Sequence, residues 1–201
     1  MHSLNEINIE ATKATERTRE AVNHFLDYFK TYPEAQIIYR ASDMQLHIDS
    51  DAAYLVAPKG RSRAGGYFYL GSRDGKLFNG AIFILATVIK SVMSSAAESE
   101  VGSLYMNARE AIPLIYTCEE LGHIQLPIPI KTDNSTASGI INKKVKLKRA
   151  KAFDMRFWWI IDRVEDSLFR IYWAPGVENL AYFFTKKHPE SHHQKVRPIY
   201  L

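Results

Sequence analysis

Two aspartates two residues apart, Asp49 and Asp51, interrupt the apolar run Met44–Leu55 (MQLHIDSDAAYL). Leu46 and Ile48 follow the period of two of a half-buried strand, so both acids fall on its other, more open face. Carboxylates this close repel each other. The repulsion is relieved either by solvent at a strand end or by a divalent cation or bound proton between them. Two further acids stand where a fold could bring them to this pair. Glu100 lies one turn ahead of Leu104 on the apolar face of a long helical stretch, and Asp133 opens the sequence Asp133-Asn134-Ser135 after an extended segment. Such a strand end, with Asn and Ser able to cap the next helix, is where α/β sheets present ligand-binding groups, although the same residues also serve as a plain helix cap. If Asp49, Glu100 and Asp133 converge, they cannot all stay charged without a counterion. Two hard divalent cations would supply it and make a site for phosphodiester hydrolysis.

The segments around these acids predict the elements that must position them. An amphipathic helix spans Glu10–Tyr32 and ends at Pro33. The strand carrying the acids is followed by a turn rich in Pro, Gly and basic residues over 58–66, a strand at Tyr67–Leu70, a hairpin turn at Gly71–Gly75 and a third strand at Asn79–Leu85. Ser94 and Ser95 offer N-caps for a helix over Ala96–Leu121, with Pro113 predicting a kink and Gly122 a stop. A strand over Leu126–Thr132, a short helix over Thr136–Asn142, a helix ending near Val164, a strand at Leu168–Trp173 and a helix at Leu180–Lys186 complete the pattern. The predicted architecture is α/β: a five-stranded mixed sheet, three antiparallel strands then two parallel ones, flanked by helices. It divides into an N-terminal helix and connection over 1–40, the main domain over 41–190 and a basic tail over 191–201. The spacing of His188, His192 and His193 matches a metal ligand set poorly, so they read as part of that mobile tail.

A chain of 201 residues that is 46% apolar and 24% charged can bury one substantial core, which excludes a disordered chain. The single Cys118 excludes an intrachain disulfide framework and a paired-cysteine zinc site, and suits a reducing compartment, cytoplasm or nucleus. The N-terminus has no apolar signal region, and the longest apolar run, Ala81–Ile89, is too short for a membrane span, so neither secretion nor a membrane partner is expected. Nothing in the sequence indicates an oligomeric state. A formal charge of +4 is small, but the basic residues are concentrated in Lys143, Lys144, Lys146, Lys148, Arg149 and Lys151. Such a ridge is either a solvated surface or a set of phosphate contacts, which with Asn134 and Ser135 would form a nucleic-acid interface.

The order of these motifs resembles the ribonuclease H domain in polyproteins of Ty1/copia-type retrotransposons. The resemblance rests on HIDSDAAY, RSRAGGYFYLG, SSAAESEVGSLY, KTDNSTA, RAKAFDMRFWW and NLAYFFTKKHP, and it covers roughly Tyr39–Pro198. It implies a ribonuclease H-like fold and cleavage of the RNA strand of an RNA/DNA hybrid by two Mg²⁺ ions, with Mn²⁺ as a substitute. It also implies an N-terminal connection to a reverse transcriptase. By position, the first catalytic and metal-binding acid matches Asp49 with Asp51 as its neighbour, the helix acid matches Glu100 with Glu98 as the alternative, and the third matches Asp133. The family's fourth acid stands in a pattern close to ADxFTK, where this chain reads Ala181-Tyr182-Phe183-Phe184-Thr185-Lys186. A phenol with an ordinary pKa near 10 is no anionic ligand at neutral pH. Glu178, about one turn earlier, is the nearest substitute. The departure implies impaired hydrolysis, with a non-catalytic nucleic-acid-binding relic as the alternative.

Overall fold

The computed structural model describes residues 2–125, 127–143 and 155–201. Five strands form one sheet: β1 (Gln45–Ala57), β2 (Arg61–Gly71), β3 (Ala81–Val88), β4 (Ile128–Thr132) and β5 (Phe169–Trp173). Their order across the sheet is β3-β2-β1-β4-β5. The pairs β1–β2 and β2–β3 are antiparallel, while β1–β4 and β4–β5 are parallel. The expected mixed sheet is the one observed.

The turn expected over 58–66 is only the three residues Pro58–Gly60, and Arg61–Gly66 belongs to β2. Lys59 and Gly60 both take positive φ, 61° and 65°, which reverses the chain within three residues. The small residues of RSRAGG are therefore strand residues, and packing on both sides of the sheet explains their size.

The helices are α1 (His2–Glu10), α2 (Glu16–Thr31), α3 (Ala96–Glu120), α4 (Ser135–Ile141), α5 (Met155–Glu165), α6 (Tyr182–Thr185) and α7 (Glu190–Tyr200). On one sheet face, Leu46 and Ile48 of β1, Ile128 and Ile130 of β4, and Phe169 and Ile171 of β5 meet Leu104, Ala108, Ala111 and Ile115 of α3 and Phe157 and Ile160 of α5. The apolar stripe of α3 drives this packing. Pro113 lies on the exposed side of α3, where the helix continues past it, and Gly122 (φ 89°) ends the element as expected.

The second sheet face is not open. Tyr67, Tyr69, Ala81 and Phe184 form a smaller buried cluster, joined by Tyr200 of α7. Tyr200 anchors α7 by donating its hydroxyl to Leu180 O at 2.7 Å. The stretch read as a mobile tail thus contains an 11-residue helix that an aromatic residue pins to the domain. The N-terminal stretch also touches the sheet. Arg63 of β2 is 2% exposed and donates to Asn5 Oδ1 at 2.9 Å and Glu6 Oε1 at 2.6 Å, so α1 covers a buried guanidinium. No helix among the described residues is long and apolar enough to cross a membrane.

Candidate metal centre

Consecutive glycines set how closely α3 and α6 approach the sheet. Neighbouring strand residues point to opposite faces. A Cβ on Gly66 would fall 1.9 Å from Asn107 Oδ1 of α3. One on Gly65 would fall 2.6 Å from Thr185 Cγ2 and 2.8 Å from Ala181 O, on the side of α6. Through the gap at Gly66, α3 hydrogen-bonds directly to the strands. Asn107 Nδ2 donates to Gly65 O and Ser50 Oγ, each at 2.9 Å, and Ser103 Oγ donates to Asp51 O at 2.6 Å. This seating brings Glu100, one turn before Ser103, to Asp51 in the middle of β1.

Among the described residues, three acids offer carboxylate oxygens that all lie within 4.8 Å of one another: Asp51, Glu100 and Asp133. Glu100 and Asp133 stand where the sequence placed them. Asp49 does not belong to this cluster, and Asp51 takes the position expected for it. The parallel register explains the correction. Asp49 lies opposite Lys131; two residues on from these stand Asp51, within β1, and Asp133, just past the end of β4. Lys131 Nζ donates to Asp49 Oδ2 at 3.1 Å and to Glu178 O at 3.0 Å, while Leu180 N–H donates to the same Oδ2 at 2.9 Å. Asp49 is thus a buried structural carboxyl, raised by burial against the opposing pull of Lys131, and it holds the segment leading into α6.

The cluster is electrostatically costly. Burial, then the nearby Asp51 and Asp133, push the Glu100 carboxyl up to about 9. Burial raises Asp51 to about 6 against the Thr185 hydroxyl, which donates to Asp51 Oδ2 at 2.6 Å and favours the ionised form. Asp133 is half-buried and is also raised, first by burial. Glu100 is 6% exposed, and its Oε2 is buried without a hydrogen-bond partner. A buried acceptor left unpaired among other acids is what a missing cation would leave behind, so the donor set fits a hard divalent ion.

The remaining expectations divide. Glu98 accepts from Ser94 N–H at 2.7 Å at the exposed start of α3, so it is a capping residue and not the cluster acid. Glu178 is exposed in a short turn before α6. The Tyr182 ring lies under Lys186 Nζ, 3.9 Å from its centre, and beside His188. Asn134 caps α4, its Oδ1 accepting from Ala137 N–H at 2.9 Å, and Ser135 is the exposed first residue of that helix. Lys143 pairs with Glu165. Lys144, Lys146, Lys148, Arg149 and Lys151 lie outside the described residues. Thr185 and Lys186 were given no role from sequence, although both stand in the FTK part of the pattern that carries the resemblance.

No protein-family profile matches the chain. Among solved structures, the LC11 ribonuclease H1, isolated from compost by a metagenomic approach, is similar with a TM-score of 0.51 at 13% identity, over 71% of this chain and 93% of that one. The same LC11 enzyme in complex with an RNA/DNA hybrid gives 0.49 at 14% identity, over 70% of this chain and 94% of that one. The N-terminal ribonuclease H domain of a Mycobacterium tuberculosis protein, solved as a fusion with maltose-binding protein, gives 0.47 at 13% identity, over 78% and 97%. At such identities the first likeness is one of fold. Together with the strand order, it makes the domain ribonuclease H-like, an α/β sheet flanked by helices.

Proposed function

We propose that this chain is a ribonuclease H of the Ty1/copia retroelement type, hydrolysing the RNA strand of RNA/DNA hybrids at Asp51, Glu100 and Asp133. One observation carries the reading. The unpartnered, buried Glu100 Oε2 sits in a three-acid cluster between the middle of the central strand β1 and the end of β4 in a ribonuclease H-like sheet. An all-oxygen donor set suits Mg²⁺, with Mn²⁺ as a substitute. An ion held there by Asp51, Glu100 and Asp133 would supply Lewis-acid chemistry, activating water for attack and offsetting the charge of the phosphodiester.

The chain's own residues supply the rest. The Thr185 hydroxyl orients Asp51 and favours its ionised form against the effect of burial. The strand end fixes Asp133, whose backbone carbonyl accepts from Trp173 Nε1 at 2.9 Å. Asn134 and Ser135 and the basic run from Lys143 to Lys151 are the proposed contacts to hybrid phosphates. The first 40 residues are the proposed connection toward a reverse transcriptase.

Tyr182 favours a second reading, that of a non-catalytic nucleic-acid-binding relic, because a phenol stands where the resemblance places a fourth acid. Cleavage of a labelled RNA/DNA hybrid by pure protein in Mg²⁺ or Mn²⁺, abolished by Asp51→Asn, is the result expected for the hydrolase. No cleavage with either ion, and none gained by Tyr182→Asp, would leave only the binding reading.

A further inference from the structure

The guanidinium of Arg63 is almost wholly withdrawn from water, and its partners leave it incompletely used. Nη1 donates to Asn5 Oδ1 and Nη2 to Glu6 Oε1, both on α1, while Nε is buried with no partner among the described residues. A guanidinium presents Nε and one terminal nitrogen as an edge that matches two oxygens of a phosphate, and a buried N–H left unpaired costs free energy. Here a single carboxylate oxygen meets one corner of that edge.

The helix that supplies it is lightly seated. Asn5 Nδ2 donates to Ala86 O at 3.0 Å, but no residue from Ser3 to Lys13 is buried, and Leu4 and Ile9 are exposed. Polar contacts hold α1 on the sheet without a buried apolar side chain of its own, which marks an element able to open locally. Opening it uncovers Arg63 next to the acid cluster. Arg63 pairs with Ala53 across the antiparallel seam, and Asp51 pairs with Gly65, so Arg63 shares a sheet face with Asp51. The two are diagonal neighbours, about 7–8 Å apart.

We propose that Arg63 is a phosphate-binding residue whose ligand is a backbone phosphate of the RNA/DNA hybrid, and that Glu6 occupies this site in cis until the hybrid displaces α1. The inference takes its ligand from the reading above but does not depend on turnover. A phosphate offers oxygens to both Nη2 and Nε, so it uses the donor that Glu6 leaves idle.

Binding of a labelled hybrid to the full chain, followed by fluorescence anisotropy over a salt series in chelator, tests this. Replacing Asn5 and Glu6 together by Ala is expected to raise the affinity about tenfold and to steepen the dependence of log affinity on log salt by about one. Adding Arg63→Met should cancel both gains, and Arg63→Lys, which keeps the charge and loses the planar edge, should cancel most of the gain in affinity. Unchanged affinity and slope in the Asn5→Ala, Glu6→Ala chain, or gains that survive both Arg63 variants, would overturn the proposal. So would a thermal midpoint of that chain raised by inorganic phosphate over chloride at equal ionic strength with no gain in hybrid binding, since the ligand would then be a small anion. Gains that depend on Arg63 without cleavage in Mg²⁺ or Mn²⁺ sink the hydrolytic reading and leave this one standing. Cleavage with no gain does the reverse.

Discussion

Lys131 and Asp49 face each other across the parallel seam between β1 and β4, joined by a hydrogen bond of 3.1 Å, with the Asp49 side chain 2% and the Lys131 side chain 14% exposed. The pair fills the site of the aspartate that sequence reasoning chose as the anchor of the acid cluster. It leaves Asp51, two residues on, as the acid that meets Glu100 and Asp133.

The two aspartates should therefore fail in different ways. Lys131→Met leaves a buried carboxylate without its cation and is expected to cost on the order of 3 kcal/mol of stability, measured by urea unfolding. Asp49→Asn keeps an acceptor for Leu180 N–H and is expected to lower stability while Mn²⁺ affinity changes less than about threefold. Asp51→Asn is expected to abolish Mn²⁺ binding in a chain that still folds. Equal loss of binding in Asp49→Asn and Asp51→Asn would return Asp49 to the cluster.

The raised carboxyls make the cation-free protein sensitive to pH. Glu100, pushed from an ordinary value near 4.5 to about 9, and Asp51, pushed to about 6, hold protons in the folded state at pH values where the unfolded chain has lost them. Stability from these groups is complete below the unfolded values and is lost as pH rises through the folded ones. The thermal midpoint in chelator should therefore fall between pH 5 and pH 9. Added Mn²⁺ should raise it most at the alkaline end. Glu100→Gln should flatten the pH dependence and remove the Mn²⁺ effect.

Gly66 is the position at which the packing of α3 is decided. Gly66→Ala places a methyl group against Asn107 Oδ1 and forces α3 outward, at an expected cost of roughly 1–3 kcal/mol. Because Glu100 rides on α3, Mn²⁺ affinity should fall together with stability, and Asn107→Gly in the same chain should recover part of both. Calorimetry of the single and double variants checks this.

Thr185 controls the protonation of Asp51 through one bond. Thr185→Val is expected to weaken Mn²⁺ binding near pH 6 by roughly tenfold, since a hydrogen bond to a charged group contributes about 1.5–3 kcal/mol. Thr185→Ser should keep the affinity. The loss should shrink at pH 8, where Asp51 is ionised in either protein.

Period-two alternation at Leu46 and Ile48, the Ser95 cap and Gly122 stop of α3, and the Asn134 cap of α4 are local signals, and each places an element within a few residues of its observed bounds. Glu100 and Asp133 were readable because each sits at an element end that a local signal marks. What the sequence hid depends on pairs far apart in the chain. The residues of RSRAGG look like a turn until Gly65 is seen against Thr185 and Gly66 against Asn107. Likewise, the C-terminal stretch looks like a polar tail until Tyr200 is seen on Leu180.

By itself the sequence determined an α/β chain with a mixed five-stranded sheet, acids near the start of α3 and just past β4, an aspartate pair on β1 and a tyrosine where a fourth acid was expected. Which member of the Asp49–Asp51 pair joins the cluster was left to the tertiary structure. Both project from one face of the same strand, so local periodicity cannot separate them. The register between β1 and β4, strands some 80 residues apart, sets Lys131 against Asp49 and carries Asp51 alongside Asp133.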